Sequence, residues 1–311
     1  MKYYNLLLNK VRAKNNHHSE ENMIEIKKLN ESHIDELSAY LNNYQETTMF
    51  IRNNLYYSGI TYQDTPFHGE YYGSFKNHHL NGVLVHYWNG NIMMQAENFS
   101  ILSALVDAFK LDRSRPIAGI LGEDSQARFV IDKLNLQSPS LFAVNYQEKL
   151  FLLDLEKMII PAELHTYHCS IKSVQECPIE VIKEWLIAYH TEALGDNIND
   201  PKLEESIINE IQDKQLSKNR WVLYVDNTPV SLCGFNASLP DIVQLGPVYT
   251  PPSLRNKGFA RTAVSLCLKH AATNRVKRAI LFTNEHSAIR AYKSLGFQEI
   301  GTYRLALFRR Q

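Results

Sequence analysis

The 311-residue sequence has no apolar run near the roughly eighteen residues that a membrane helix needs. Leu6-Leu7-Leu8 is too short for the core of a secretory signal, and no small-residue cleavage site follows it. No membrane partner is expected, and the chain reads as cytoplasmic. An excess of one charge is missing too. With 33 Lys and Arg against 33 Asp and Glu, there is no basic surplus of the kind a nucleic-acid binder uses, so no nucleic-acid partner is expected. Cysteine is scarce: Cys169, Cys177, Cys233 and Cys267 form no CxxC pair and no ligand spacing, and free thiols in a reducing compartment are expected. The histidines at 17–18, 78–79, 165 and 168 make no HExxH or finger pattern, so no metal is expected. Nor does any Ser/His/Asp or Cys/His arrangement suggest a covalent intermediate.

What is present is a soluble globular composition, 44% apolar and 21% charged, with length for two domains. Residues 10–22 are polar and without periodicity, and a disordered extension is expected over 1–22. A first strand starts at Met23, and a helix carries Ile34, Leu37 and Leu41 on one face. A Tyr- and Phe-rich segment spans 50–72, a strand pair is expected across Asn81-Gly82, and Asn89-Gly90 marks a hairpin. Helices at 101–109 and 127–134 flank a strand at 117–121, and strands are expected near 141–155. After Pro161 the order repeats: strand 163–174, helices 178–194 and 203–217, strands 220–226 and 229–238, a strand from 242, a helix, strand 277–283, helix 286–295 and strand 297–308. The reading is a tandem of one fold, with domains at 23–158 and 159–311.

One stretch organises the second half, Asp241-Ile-Val-Gln-Leu-Gly-Pro-Val-Tyr-Thr-Pro-Pro-Ser-Leu-Arg-Asn-Lys-Gly-Phe-Ala260. Its β-branched and aromatic run must stop near Thr250, because Pro251 and Pro252 offer no N–H and force extended backbone before them. Ala263, Val264, Cys267 and Ala271 then follow at helical spacing, so a helix starts near Gly258. A helix N-terminus draws anions. Gly258 permits close approach to the backbone, and Arg255 and Lys257 add two cations. The loop is neither GxGxxG nor a Walker A sequence. In the first half, Ala96-Glu97-Asn98-Phe99-Ser100 stands at the corresponding place, with an acid and no cation.

The sequence VYTPPSLRNKGFA, together with LFTNEHSAIRAYKSLGF at 281–297, resembles the GCN5-related N-acetyltransferase (GNAT) superfamily in its tandem-domain form, with a degenerate N-terminal copy. The resemblance is specific over residues 160–311. It implies an α/β protein of two GNAT-like domains, each a twisted mixed, mostly antiparallel sheet flanked by helices. It also implies acetyl-CoA as co-substrate. Carried over by position, Val248 and Thr250 would bind pantetheine through backbone groups, and Arg255, Asn256, Lys257, Gly258, Phe259, Ala260 and Arg261 would hold the pyrophosphate. Tyr292 matches the family's general acid, although its helical spacing alone describes a core tyrosine. Asn284 is assigned to pantetheine with one departure: the family's asparagine falls seven residues before the tyrosine, where this chain has Glu285.

The family often places a carboxylate base on the central strand, and here the matching region offers Gln244. Glu192, at the end of helix 178–194, is the candidate base, with a solvated helix-end acid as its plain alternative. The expected function is direct transfer of an acetyl group to an amine on a small molecule or peptide. The alternative is a non-catalytic acyl-CoA-binding sensor or interaction module. Monomer and homodimer both remain open.

Overall fold

The computed structural model describes residues 24–309; the extension expected over 1–22 and Met23 lie outside the described residues. The chain divides into two compact units, one ending at Leu141 and one running from Phe142 to Arg309. No described helix is long and apolar enough to cross a membrane.

The N-terminal unit contains β1 (Glu25–Lys28), α1 (Ile34–Asn42), α2 (Met49–Ser58), β2 (Gly69–Lys76), β3 (His79–Tyr87), β4 (Asn91–Ala96), α3 (Phe99–Asp112), β5 (Gly119–Glu123) and α4 (Asp124–Lys133). Its strands lie in sequence order, antiparallel except for the last pair. Asn81-Gly82, expected to be a turn, lies inside β3. The turn falls at Asn77-His78, whose φ angles of 52° and 65° are the left-handed pair that a tight hairpin demands. A dipeptide signal yielded here to the pull of burial, since Asn81 is buried and its strand continues through it.

The C-terminal unit opens with β6 (Phe142–Asp154), followed by the short α5 (Glu163–Thr166), β7 (Cys169–Ser173), α6 (Ile179–Leu194), α7 (Pro201–Gln212), the short α8 (Lys214–Ser217), β8 (Arg220–Val225), β9 (Thr228–Ser238), β10 (Ile242–Tyr249), α9 (Phe259–Thr273), β11 (Arg278–Thr283), α10 (His286–Ser294) and β12 (Gln298–Phe308). Its strand order is β12-β6-β11-β10-β9-β8-β7. Three expectations change. The boundary falls at 141/142 rather than 158/159, because β6 inserts between β11 and β12 and pairs with both. The strand expected over 163–174 is a short helix and then β7, and the helix expected over 203–217 is two, broken at Asp213.

Alternate residues of each strand serve opposite faces. Trp221, Leu223, Cys233, Phe235, Val243, Leu245, Phe151 and Leu153 pack under α9 and α10 with Phe259, Ala263, Cys267 and Leu295. On the other face Val222, Tyr224, Leu232 and Tyr249 meet Ile182, Trp185, Leu186, Leu203 and Ile207 of α6 and α7. Burying each of these large side chains contributes about 1.5–3 kcal/mol, so the sheet is fixed from both sides.

The two units repeat one order of elements and share one irregularity. In each, the sole parallel pair is short: Asn91–Met93 with Gly119–Leu121, and Ile242–Gln244 with Arg278–Ile280. Beyond those residues the strands part, although β4 runs on to Ala96 and β10 to Tyr249. In the N-terminal unit a side chain fills the parting. Gln126, from α4, accepts from the Ala96 N–H at 2.8 Å and donates to the Ala96 carbonyl at 3.3 Å. Replacing Gln126 by Leu should therefore leave two backbone groups of a buried residue unpaired and lower stability by about 1–3 kcal/mol. A denaturant midpoint unchanged from wild type would show that water serves them equally well.

Candidate active site

In the C-terminal unit the parting stays open. A Gly246–Pro247 bulge interrupts the β9–β10 ladder between Leu245 and Val248, and among the described residues no side chain is bonded to the backbone of Gly246, Pro247 or Val248. The difference from the N-terminal unit is one of side-chain size at matched positions. Glu123 caps α4 and Glu285 caps α10, each accepting from the N–H three residues on. That third position holds Gln126 in one unit and Ala288 in the other. The seventh holds Val130 and Tyr292. A methyl group thus replaces the amide that closes the gap, and a phenol appears where the N-terminal unit has only an apolar core residue.

Below the gap the chain turns into α9. Asn256 and Gly258 take φ of 62° and 79°, and Gly258 caps the helix without any side-chain acceptor for its first amides. The corresponding α3 is capped by Asn98, whose side chain accepts from Ile101 N at 3.0 Å. The Arg261 amide thus has no side-chain acceptor where its counterpart, Ile101 N–H, is taken by Asn98, and the first turn of α9 is available to an anion. A Cβ on Gly258 would have to displace the carboxylate of Glu163, and the positive φ there favours glycine. Glu163 is fixed in turn by an ion pair with Arg261, which holds its carboxyl below the usual carboxylate range.

Arg255 bridges the loop to the strand end. Its Nε donates to the Thr250 carbonyl at 2.9 Å, and its Nη2 lies 2.7 Å from Glu192 Oε2. Two sequence assignments are affected. The Thr250 carbonyl has a partner within the chain, and Glu192 is the counter-ion of the loop arginine. Both side chains of that pair are more than 40% exposed, so it contributes under about 1 kcal/mol and yields readily to a polyanion. Asn256 and Lys257 are exposed on the loop, and Asn284 is exposed just before Glu285.

Tyr292 is buried against Phe297 beside the gap. Burial above all raises its pKa far above that of a free phenol, so it stays protonated. No hydrogen bond to its hydroxyl is present among the described residues. Tyr189, from α6, has its pKa pushed up to about 12, by burial first and then by Glu148, with Arg220 opposing. Glu148 is the residue that sequence reasoning missed. It lies on β6 opposite Tyr303, on the face away from Phe151 and Leu153, and burial pushes its carboxyl up to about 7. No local signal marked it, because it sits in the polar run 145–149 of a strand that sequence reading assigned to the first half.

A partly buried charge network joins α6, α7 and β8. His190 lies 2.9 Å from Asp196 and 3.0 Å from Glu210, and Glu210 also pairs with Arg220. Burial alone would lower the His190 pKa, but the two carboxylates reverse that and raise it to about 9. For Glu210 burial would raise the pKa, but His190 and Arg220 bring it to about 2. At neutral pH the four groups carry two positive and two negative charges and cancel. Among the described residues no group of three metal-ligating side chains occurs.

Residues 179–297 match the model of the acetyltransferase (GNAT) family. No curated protein matches the chain in sequence. Among solved structures, a tandem GNAT protein of the clavulanic acid biosynthesis pathway is 12% identical, with 92% of this chain and 98% of that one aligned at a TM-score of 0.55. A GCN5-related N-acetyltransferase from Sphaerobacter thermophilus aligns over 91% and 94% at 10% identity and a TM-score of 0.54. A Drosophila protein aligns over 91% and 98% at 10% identity and a TM-score of 0.58. At such identities the likeness is one of fold, and it extends over both units, each of which is GNAT-like. The parting of β10 from β11 and the loop after Thr250 both lie inside residues 179–297, which form a domain of the acetyltransferase (GNAT) family.

Proposed function

We propose that the protein is a cytoplasmic acetyl-CoA-dependent N-acetyltransferase whose C-terminal unit transfers the acetyl group directly to an amine. The observation that carries this reading is the β10–β11 gap left open above an uncapped helix N-terminus, when the N-terminal unit has closed the same gap with Gln126 and capped the same helix with Asn98. Backbone groups from Gly246 to Val248 would bind pantetheine. The amides of residues 259–261, with Arg255 and Lys257, would hold the pyrophosphate once Glu192 gives way. The N-terminal unit is read as a degenerate copy that binds no CoA.

Bound acetyl-CoA supplies the acyl group as a thioester, whose C–S bond breaks as the amine nitrogen bonds to the acyl carbon. Tyr292 holds a proton at its hydroxyl for the departing sulfur, and its raised pKa keeps that proton in place until sulfur becomes anionic. Glu148 takes the proton that the amine must lose. A carboxyl of pKa about 7 is half ionised at neutral pH, where an amine of pKa about 10.4 is only roughly one part in a thousand neutral. Glu192, held by Arg255, is set aside as base in favour of Glu148.

Three outcomes are expected. Calorimetric titration with CoA should give one site per chain, and two would show that Gln126 does not close the N-terminal gap. Tyr292→Phe should lower kcat by about 10²–10⁴ with CoA affinity retained, whereas unchanged turnover would return Tyr292 to packing. Glu148 is competent when ionised, so kcat/KM should climb with pH and level off above about 7. Glu148→Gln should remove that limb and cost about 10²–10³ in rate, and a limb that survives belongs to another group. CoA binding with no thiol release from any amine would favour a sensor over an enzyme.

A further inference from the structure

We propose that the acceptor is an amino acid, presenting its amine to Glu148 and its free carboxylate to Arg220. The inference rests on the transferase reading above and names the substrate class of that same site.

Arg220 opens β8, and its side chain is only 3% exposed. Its Nη2 pairs with Glu210, but Nε and Nη1 have no acceptor among the described residues. A guanidinium is charged at every working pH, and buried donors without a partner are costly and rare. Glu210 cannot answer that need alone, because its second oxygen is held by His190. The four-membered network is neutral with those donors still unfilled, so one added negative charge is accommodated. A dianion would put two charges beside Glu210 and Glu148, which favours a carboxylate over a phosphate.

The direction of the side chain ties it to the gap. Arg220 pairs with Gly234 of β9, and a Cβ on Gly234 would come within 2.7 Å of Arg220 Cγ. The stem therefore leans across β9, and Gly234 in turn faces the Gly246–Pro247 bulge of β10, where the open gap begins. Arg220, which pairs with Glu210 of α7, and Glu148, on the face of β6 away from Phe151 and Leu153, both lie on the α6 and α7 side of the sheet. Donor and base thus lie on one face of the sheet, drawn from β8 and β6. Nothing else in the reaction uses the free donors of Arg220.

The test uses the full chain in two arms. In the first, a panel of N-acetyl amino acids and their C-terminal methylamides is titrated calorimetrically in the presence of CoA. At least one free acid should bind about 10- to 100-fold more tightly than its methylamide. Arg220→Lys, which keeps a cation for Glu210 but removes the extra donors, should erase that preference without altering CoA affinity. In the second arm, thiol release from acetyl-CoA is compared for amino acids, their amides and the decarboxylated amines, and the free acids should lead by a similar factor. Methylamides that bind as well as acids, or decarboxylated amines that react as well, would overturn the proposal even if Arg220→Lys failed to fold. A carboxylate preference in binding with no thiol release in any reaction would uphold the Arg220 site and sink the transferase reading instead.

Discussion

Two parallel strands that part after three residue pairs set the terms for the rest of the C-terminal unit. Beyond Gln244 and Ile280 the facing edges of β10 and β11 have no partner in each other. Backbone polar groups inside a protein must be satisfied, and a ladder that stops early leaves a demand that water, a side chain or a ligand has to meet. Here β10 is held open from its other side. The Gly246–Pro247 bulge bends it, the prolines after Thr250 end it, and β6, paired along the whole of β11, prevents β11 from following.

The N-terminal unit is an internal control on that account. It has the same parallel pair of three residues, the same capping glutamate before the next helix and the same helix after its fourth strand. A single side chain, Gln126, pairs with both backbone groups of Ala96, whereas in the C-terminal unit Gln244 and Arg255 serve only the carbonyls of Leu245 and Thr250 and leave residues 246–248 without a side-chain partner among the described residues; Asn98 likewise caps a helix whose counterpart has no side-chain cap. Both devices are local and act through ordinary hydrogen bonds of 2.8–3.3 Å. One scaffold can therefore be closed or open to a ligand through two or three side chains, with no change of topology.

Electrostatics around the gap follows from burial rather than from net charge. The whole chain is neutral, yet its interior holds an arginine, a protonated histidine and two carboxylates that compensate one another. A buried set of this kind is a weak source of stability, because desolvation cancels most of the attraction. What it provides is a fixed potential beside Tyr189, together with a carboxyl at Glu148 that burial alone keeps near neutrality.

The sequence by itself determined most elements of the C-terminal unit from residue 220 onward and the place of its loop. Proline chemistry ended β10, a lone glycine opened α9, and periodicity placed Tyr292 on a helix, all through interactions that reach only a few residues along the chain. The family resemblance was legible for the same reason, since its motifs are contiguous. What only the tertiary structure decided was which distant residues meet. β6 reads as the end of the first half but pairs in the second, because its partners β11 and β12 lie more than a hundred residues further on. That pairing sets Glu148 opposite Tyr303, and the approach of α6 to the loop sets Glu192 against Arg255. Strand register and side-chain partnership over such separations are set by packing of the whole sheet, and no local pattern encodes them.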